Sequence, residues 1–143
     1  MKIGRDISSF STHSCQPTSK DELEVIIDSR VSKEGPDCDL NDVDVSLVND
    51  MSWLFSDSDF NGDISKWDVS RVKTMYGMFY NSSFNGNIND WDVSNVLDMT
   101  SMFVLSKFTQ DISNWKINER CVMYDTFFRC PIKEEFKPKS LQK

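Results

Sequence analysis

The chain has 143 residues, which is the usual length of one domain. It carries 16 basic and 23 acidic side chains and a formal net charge of −7, so direct binding to the phosphate backbone of a nucleic acid is not expected. The hydrophobic content of 38% is compatible with a packed core, and no stretch approaches the length of a membrane span.

Residues 1–17 are predicted to form a flexible arm. The beginning of this arm, MKIGRDISSFSTHSC, lacks a long apolar run and does not resemble a secretory signal. We therefore expect a cytoplasmic protein; surface display would require a signal removed before this numbering begins. The four cysteines form no CxxC pair, and we expect free thiols.

Residues 18–35 are predicted to form an N-terminal capping helix. Ser19 and Glu22 have the spacing of a capping box, and Gly35-Pro36 provides a stop signal. The predicted apolar face is made of Leu23, Ile26, Ile27 and Val31. This face should cover the open end of whatever follows.

Residues 36–130 contain a 24-residue repeat. Its units begin at Met51, Met75, Met99 and Met123, and DLNDVDVSLVND at 39–50 aligns with the second half of a unit. A single unit of this length cannot bury its own apolar face, but stacked units can. The charged tail, residues 131–143, should close the far end.

Each unit is predicted to open with a short helix. Met51, Leu54 and Phe55 are spaced i, i+3 and i+4, which is one face of a helical turn. The residues just before the three complete copies can cap such a helix through their side chains; they are Asp50, Thr74 and Asp98.

Each unit is then predicted to contain a short strand. In WDVS at 67–70 the apolar and polar residues alternate, so Trp67 and Val69 should point inward. Trp91 and Trp115 are the equivalent residues in the next two units. The predicted fold class is therefore α/β: a short right-handed solenoid with one short parallel strand and one short helix per 24-residue coil.

The segment DSDFNGDISKWD has the spacing of a calcium loop. Asp57, Asp59, Asn61 and Asp68 fall at ligand positions one, three, five and twelve. Asp57 and Asp59 are replaced in both later copies, whereas the apolar positions persist. The repeat therefore favours packing over metal binding, with calcium kept as a weaker alternative.

An acidic face is predicted along the strands. Asp44, Asp68 and Asp92 occupy equivalent places, followed by Lys116, and Asp42 and Asp90 lie beside them. Stacked carboxylates repel one another. Two explanations are open: the side chains accept hydrogen bonds in local turns, or they form a binding face for a basic partner.

The phrase FNGDISKWDVS, followed by MYGMF, resembles the BspA-like surface-protein repeat family, also described as mycoplasma-lipoprotein-type repeats. The Trp-Asp-Val-Ser and Met-Phe elements recur in phase, and the resemblance covers residues 36–130. It implies a leucine-rich-repeat-like fold that serves binding, and it carries no catalytic residues. Because the given residues show neither the signal nor the lipid-anchor cysteine of the surface-displayed type, we do not expect surface display.

The function expected from the sequence is a non-enzymatic protein–protein interaction module without cofactors. The chain contains one histidine and none of the common hydrolase or nucleotide-binding motifs. The partner is expected to be a protein, with the acidic face suited to a basic one, and not nucleic acid or a membrane. The alternative is an acidic inhibitor, encoded by a phage or mobile element, that blocks a nucleic-acid-binding or defence protein.

Overall fold

The computed structural model describes residues 15–142. This range contains one α-helix, α1 (Lys20–Glu34), and the short 3₁₀ helices Glu134–Phe136 and Lys139–Leu141. The remainder of the range consists of turns and irregular segments, which single parallel β-bridges connect in place of strands.

The predicted N-terminal helix is confirmed as α1. Ser19 is its N-cap, and the Ser19 hydroxyl accepts a hydrogen bond from the Glu22 N–H at 3.2 Å. The Glu22 carboxylate accepts from the Thr18 N–H at 2.7 Å, one residue earlier than in a standard capping box. Gly35 ends the helix with φ 94°, and its N–H donates to the Val31 carbonyl.

Helix α1 lies against the core of the stacked units. Leu23 and Ile27 are buried in that core, and Ile26 and Val31 pack at its edge. Most of the predicted arm, residues 1–14, lies outside the described residues. The remaining residues, 15–17, contact the front of the molecule: the Cys15 carbonyl accepts from the Asp44 N–H at 2.8 Å.

The predicted helix at the start of each unit is wrong. Met51, Leu54 and Phe55 are buried as expected, but Trp53 and Asp57 have φ of 61° and 55°. A left-handed residue at every fourth position interrupts a right-handed helix. The same positions have positive φ in the later units: Gly77 and Asn81, Ser101 and Leu105, and Asp125 and Arg129.

These segments form what we call turn rows, residues 51–58, 75–82, 99–106 and 123–130. Along a row, alternate amides donate within the row and to the next row. The Met78 N–H donates to the Met75 carbonyl at 3.1 Å, and the Phe79 N–H donates to the Met102 carbonyl at 2.9 Å. Along a row, two inward side chains alternate with two outward ones, so the pattern repeats every four residues. Over only eight residues this repeat resembles the period of 3.6 of an α-helix.

The predicted strand is also wrong. Residues 67–69 are irregular and a turn begins at Ser70, whose N–H donates to the Asp68 side chain, so this amide is not available to a strand ladder. The parallel contacts lie elsewhere, at Asp50 with Thr74, Thr74 with Asp98 and Asp98 with Val122. The α/β solenoid with one strand and one helix per coil is therefore contradicted.

The inward tryptophans are confirmed. Trp67, Trp91 and Trp115 are 3–4% exposed, and each indole N–H donates to a carbonyl 27 residues earlier, at 2.8–3.1 Å. Equivalent rings lie parallel in successive units. The stacked phenylalanine pairs include Phe55 with Phe79, Phe79 with Phe103, Phe60 with Phe84 and Phe84 with Phe108.

The C-terminal tail covers the far end of this core. Ile132 is buried, and the Phe136 carbonyl accepts from the Ile112 N–H at 2.9 Å. Lys137 lies over the ring of Phe127 in the last row, with the ammonium 5.3 Å from the ring centre. The tail therefore protects the last stacked rings from solvent.

Trp91→Ala should lower the free energy of unfolding by about 3–5 kcal/mol, because it removes a buried indole between two equivalent units. Trp53→Ala is the matched control: its indole is 41% exposed, and we expect a loss of about 1 kcal/mol or less. Urea denaturation measures both. Equal losses for the two variants would contradict the assignment of Trp91 to the core.

Candidate functional site

Asp44, Asp68 and Asp92 form an exposed column, here called the acidic column, with one carboxylate per unit. It lies on turns and not on a strand face. In each case the carboxylate Oδ1 accepts the backbone N–H of the residue two positions later, at 3.0–3.1 Å. The explanation through local turn hydrogen bonds is therefore confirmed for all three side chains.

Serine hydroxyls reinforce these turns. The Ser70 and Ser94 hydroxyls each donate to the preceding aspartate Oδ1 at 2.6 Å. These hydroxyl bonds, followed by the backbone N–H bonds, hold the pKa of Asp68 and Asp92 below the usual aspartate range. The neighbouring Asp44 raises the pKa of Asp68, but this repulsion is the smaller effect. Hydrogen bonding thus keeps the column ionised.

The same polar turn recurs at three further places in a unit. Asp63 and Asp111 cap the N–H of Ser65 and Ser113. Side chains at two other places also accept the backbone N–H of the residue two positions later. Just before the turn rows these are Asp50, Thr74 and Asp98, and at the ends of the rows they are Ser58, Ser82 and Ser106. The residues predicted as helix caps therefore do accept backbone N–H groups, but these N–H groups belong to turns and not to helices.

The other predicted residues of the acidic face are arranged differently. Asp42 accepts two hydrogen bonds from the Arg30 guanidinium of α1, at 2.9 and 3.0 Å, so its charge is paired within the chain. Asp90 and Lys116 are exposed and form no ion pair within residues 15–142. Asn118 caps the turn that follows Lys116, accepting from the Arg120 N–H at 2.9 Å.

The calcium-like side chains are engaged in separate contacts. Asp57 accepts from the Asn81 amide at 2.8 Å, and Asn61 accepts from the Asn85 N–H at 2.8 Å. Asp68 caps its own turn. In the described part of the chain, no group of three or more His, Cys, Asp or Glu side chains is arranged to hold a metal ion. Asp57, Asp59, Asn61 and Asp68 therefore do not converge as a calcium loop requires.

A second candidate surface, which the sequence interpretation missed, lies on the outward side of the four turn rows; we call it the turn face. Trp53, Leu105, Tyr124 and Phe128 expose 41%, 45%, 74% and 52% of their surface there. Large apolar side chains clustered on one exposed face are typical of interaction sites. The available signal was the recurrence of aromatic residues at positions that a helix would have directed to solvent.

Trp53 is held on this face by its neighbours. Its ring lies 5.0 Å from the ring of Tyr76 and 5.6 Å from that of Tyr80, between centroids. A Cβ added to Gly77 would lie 2.4 Å from the indole of Trp53, so only glycine leaves room for this ring. Trp53 itself has φ 61°, an unfavourable conformation for a large side chain.

The cysteines in the described part of the chain are free thiols, as expected. Burial is the main cause that raises the pKa of Cys121 to about 11, so this thiol is protonated at neutral pH. His13, the only histidine in the sequence, lies outside the described residues. Within residues 15–142 no helix has the length and apolar character needed to cross a membrane.

A protein-family model described as "Mycoplasma protein of unknown function, DUF285" matches residues 29–138. This match covers the second part of α1, all four turn rows and most of the tail. No curated protein and no solved structure matches the chain.

Ser94→Ala should raise the pKa of Asp92 towards the ordinary value of about 3.9, because it removes the largest cause that lowers this pKa. A lowered folded-state pKa stabilises the protein above the unfolded pKa, and this stability is lost as the pH falls through the folded value. The variant should therefore lose less stability than the parent chain on acidification.

Carbon-detected NMR titration of the Asp92 carboxyl group gives the pKa, and urea denaturation at neutral and acid pH gives the stability. Asp68, which has the same turn in another unit, is the internal control and should keep its low pKa in this variant. An unchanged pKa of Asp92 would contradict the role assigned to the Ser94 hydroxyl.

Proposed function

We propose that this chain, which belongs to the DUF285 family of Mycoplasma proteins of unknown function, is a non-enzymatic protein-interaction module. The closer relationship to BspA-like repeats is part of this proposal and is supported by the in-phase FNGDISKWDVS and MYGMF phrases. The absence of enzymatic activity is proposed from the sequence, which contains a single histidine and no recognised catalytic motif.

The acidic column is the proposed contact for a basic protein segment. The observation that carries this proposal is the availability of one carboxylate oxygen on each of Asp68 and Asp92. Their Oδ1 atoms are held in turns, whereas their Oδ2 atoms accept no hydrogen bond from residues 15–142, and neither side chain is in an ion pair there. Fixed, ionised carboxylates in register suit lysine or arginine side chains of a partner.

Asp44 makes the end of the column less available. Its Oδ2 accepts from the Gln16 side chain at 2.8 Å, so the segment before α1 occupies this carboxylate. The proposed contact is therefore centred on Asp68 and Asp92. Lys116 occupies the equivalent position in the next unit. Its positive charge would repel a basic segment that extended beyond Asp92.

An acidic inhibitor of a nucleic-acid-binding or defence protein is the second candidate. The observation that favours it is the regular repetition of the carboxylates, one per unit, with their negative charge held by hydrogen bonds. A row of fixed anions can occupy a groove that normally binds phosphates. The two candidates differ in the identity of the partner and in the salt dependence of its release.

The double substitution Asp68→Asn with Asp92→Asn tests the contact. Asparagine keeps a side-chain oxygen for the turn but removes the charge, so the fold should persist while capture of a basic partner from a bacterial lysate is lost. Asp21→Asn with Asp28→Asn, on the exposed side of α1, is the matched control with the same change in net charge.

Undiminished capture by the Asp68/Asp92 variant would contradict the acidic column as the contact. For a partner whose capture depends on the column, salt titration distinguishes the two candidates. A nucleic-acid-binding protein released steeply by salt supports the inhibitor. A partner that does not bind nucleic acid supports the general interaction module.

A further inference from the structure

One column of the turn face has side chains of opposite charge at its two ends. Asp57 in the first row and Arg129 in the last row occupy equivalent positions, with Asn81 and Leu105 between them. Asp57 is oriented by the hydrogen bond from Asn81, and the Arg129 guanidinium lies 5.4 Å from the ring centre of Phe128. Neither charge is in an ion pair within residues 15–142.

The outward side chains also differ in size between the ends. In one column of the face the first row has Ser52 and the last row has Tyr124. In another the first row has Ser56 and the last row has Phe128. In these two columns small side chains lie in the first row and large exposed ones lie in the last row. The column from Trp53 to Asp125 has the opposite order of size.

Two turn faces can meet around a two-fold axis that lies in their interface and runs parallel to the rows. This axis places the first row of one copy against the last row of the other. Each column then lies against the same column of the second copy, with the order of the four rows reversed. Asp57 would face Arg129 of the second copy, Ser52 would face Tyr124, and Ser56 would face Phe128. A two-fold interface forms every such contact twice.

We infer that the turn face binds the turn face of a second copy of this chain, with the two stacks antiparallel. Charge complementarity in the column that begins at Asp57 and size complementarity in those that begin at Ser52 and Ser56 point to this occupant. A two-fold axis along the stack would instead place the first rows of the two copies together, so Asp57 would not meet Arg129.

Trp53 supports an interface at this place. Gly77 leaves room for its indole, although the core does not require this exposed ring. Tryptophan, tyrosine and arginine, all present on the turn face, are the residues that contribute most to interfaces.

Sedimentation velocity from about 5 to about 500 µM tests the inference, because a small interface of this kind should dissociate in that range. The parent chain should form a dimer as concentration rises. The single reversals Asp57→Arg and Arg129→Asp should each weaken the dimer at least about tenfold, since each creates two like-charge contacts.

Recombination of the charges provides the decisive control. The double variant D57R/R129D should dimerise again, and an equimolar mixture of the two single variants should form a mixed dimer. Asp28→Arg and Lys33→Asp, on exposed positions of α1, reproduce the changes in net charge away from the turn face and should leave the dimer unchanged. Circular dichroism checks the folding of every variant.

Asp57 has positive φ, so D57R could be destabilised. If it does not fold, Arg129→Asp is compared with Arg129→Lys, which keeps the charge and should keep most of the affinity. A parent chain that stays monomeric throughout the range overturns the inference and leaves the turn face to a different partner. A dimer that is insensitive to Arg129→Asp, or that charge recombination fails to restore, overturns the antiparallel arrangement.

Discussion

The hydrogen bonds between successive turn rows are the interaction on which the rest of the structure depends. At every second position of a row, the amide donates to a carbonyl 23 residues further along the chain, as for Met75 with Asp98 and Gly77 with Thr100. The intervening amides are satisfied within their own row, as for Met78 and Tyr80, or by the side chain just before it, as for Tyr76 with Thr74. This alternation requires left-handed residues at fixed positions, and it sets the register in which equivalent phenylalanine and tryptophan rings stack.

Because the backbone follows the same path in each unit, outward side chains form columns with one residue per unit. The two candidate surfaces are such columns with different contents. The acidic column repeats one residue type, and its turns keep the carboxylates ionised through serine hydroxyls and backbone amides. The turn face instead changes along the stack, from Asp57 to Arg129 and from Ser56 to Phe128. We propose the first arrangement as the contact for a basic partner and the second as the contact for a reversed copy of the chain.

The features predicted correctly from the sequence were those with a local or strictly periodic signal. Ser19, Glu22 and Gly35 placed α1 through its caps, and recurrence at 24 residues identified Trp91 as buried. The helix predicted at Met51 failed because periods of 3.6 and 4 cannot be distinguished over eight residues, and Trp53 gives no indication of positive φ. The strand predicted at 67–70 failed because a polar turn can show the same alternation. The turn face was missed because its aromatic residues recur at only some of the equivalent positions.

Scalar couplings across hydrogen bonds test the central claim most directly, since they identify the donor and acceptor of each bond in solution. The account predicts couplings from the amide nitrogens of Met75, Gly77 and Phe79 to the carbonyl carbons of Asp98, Thr100 and Met102. Coupling from the Phe79 amide to the Met75 carbonyl, four residues earlier, would indicate a helix in each unit and would contradict the turn rows.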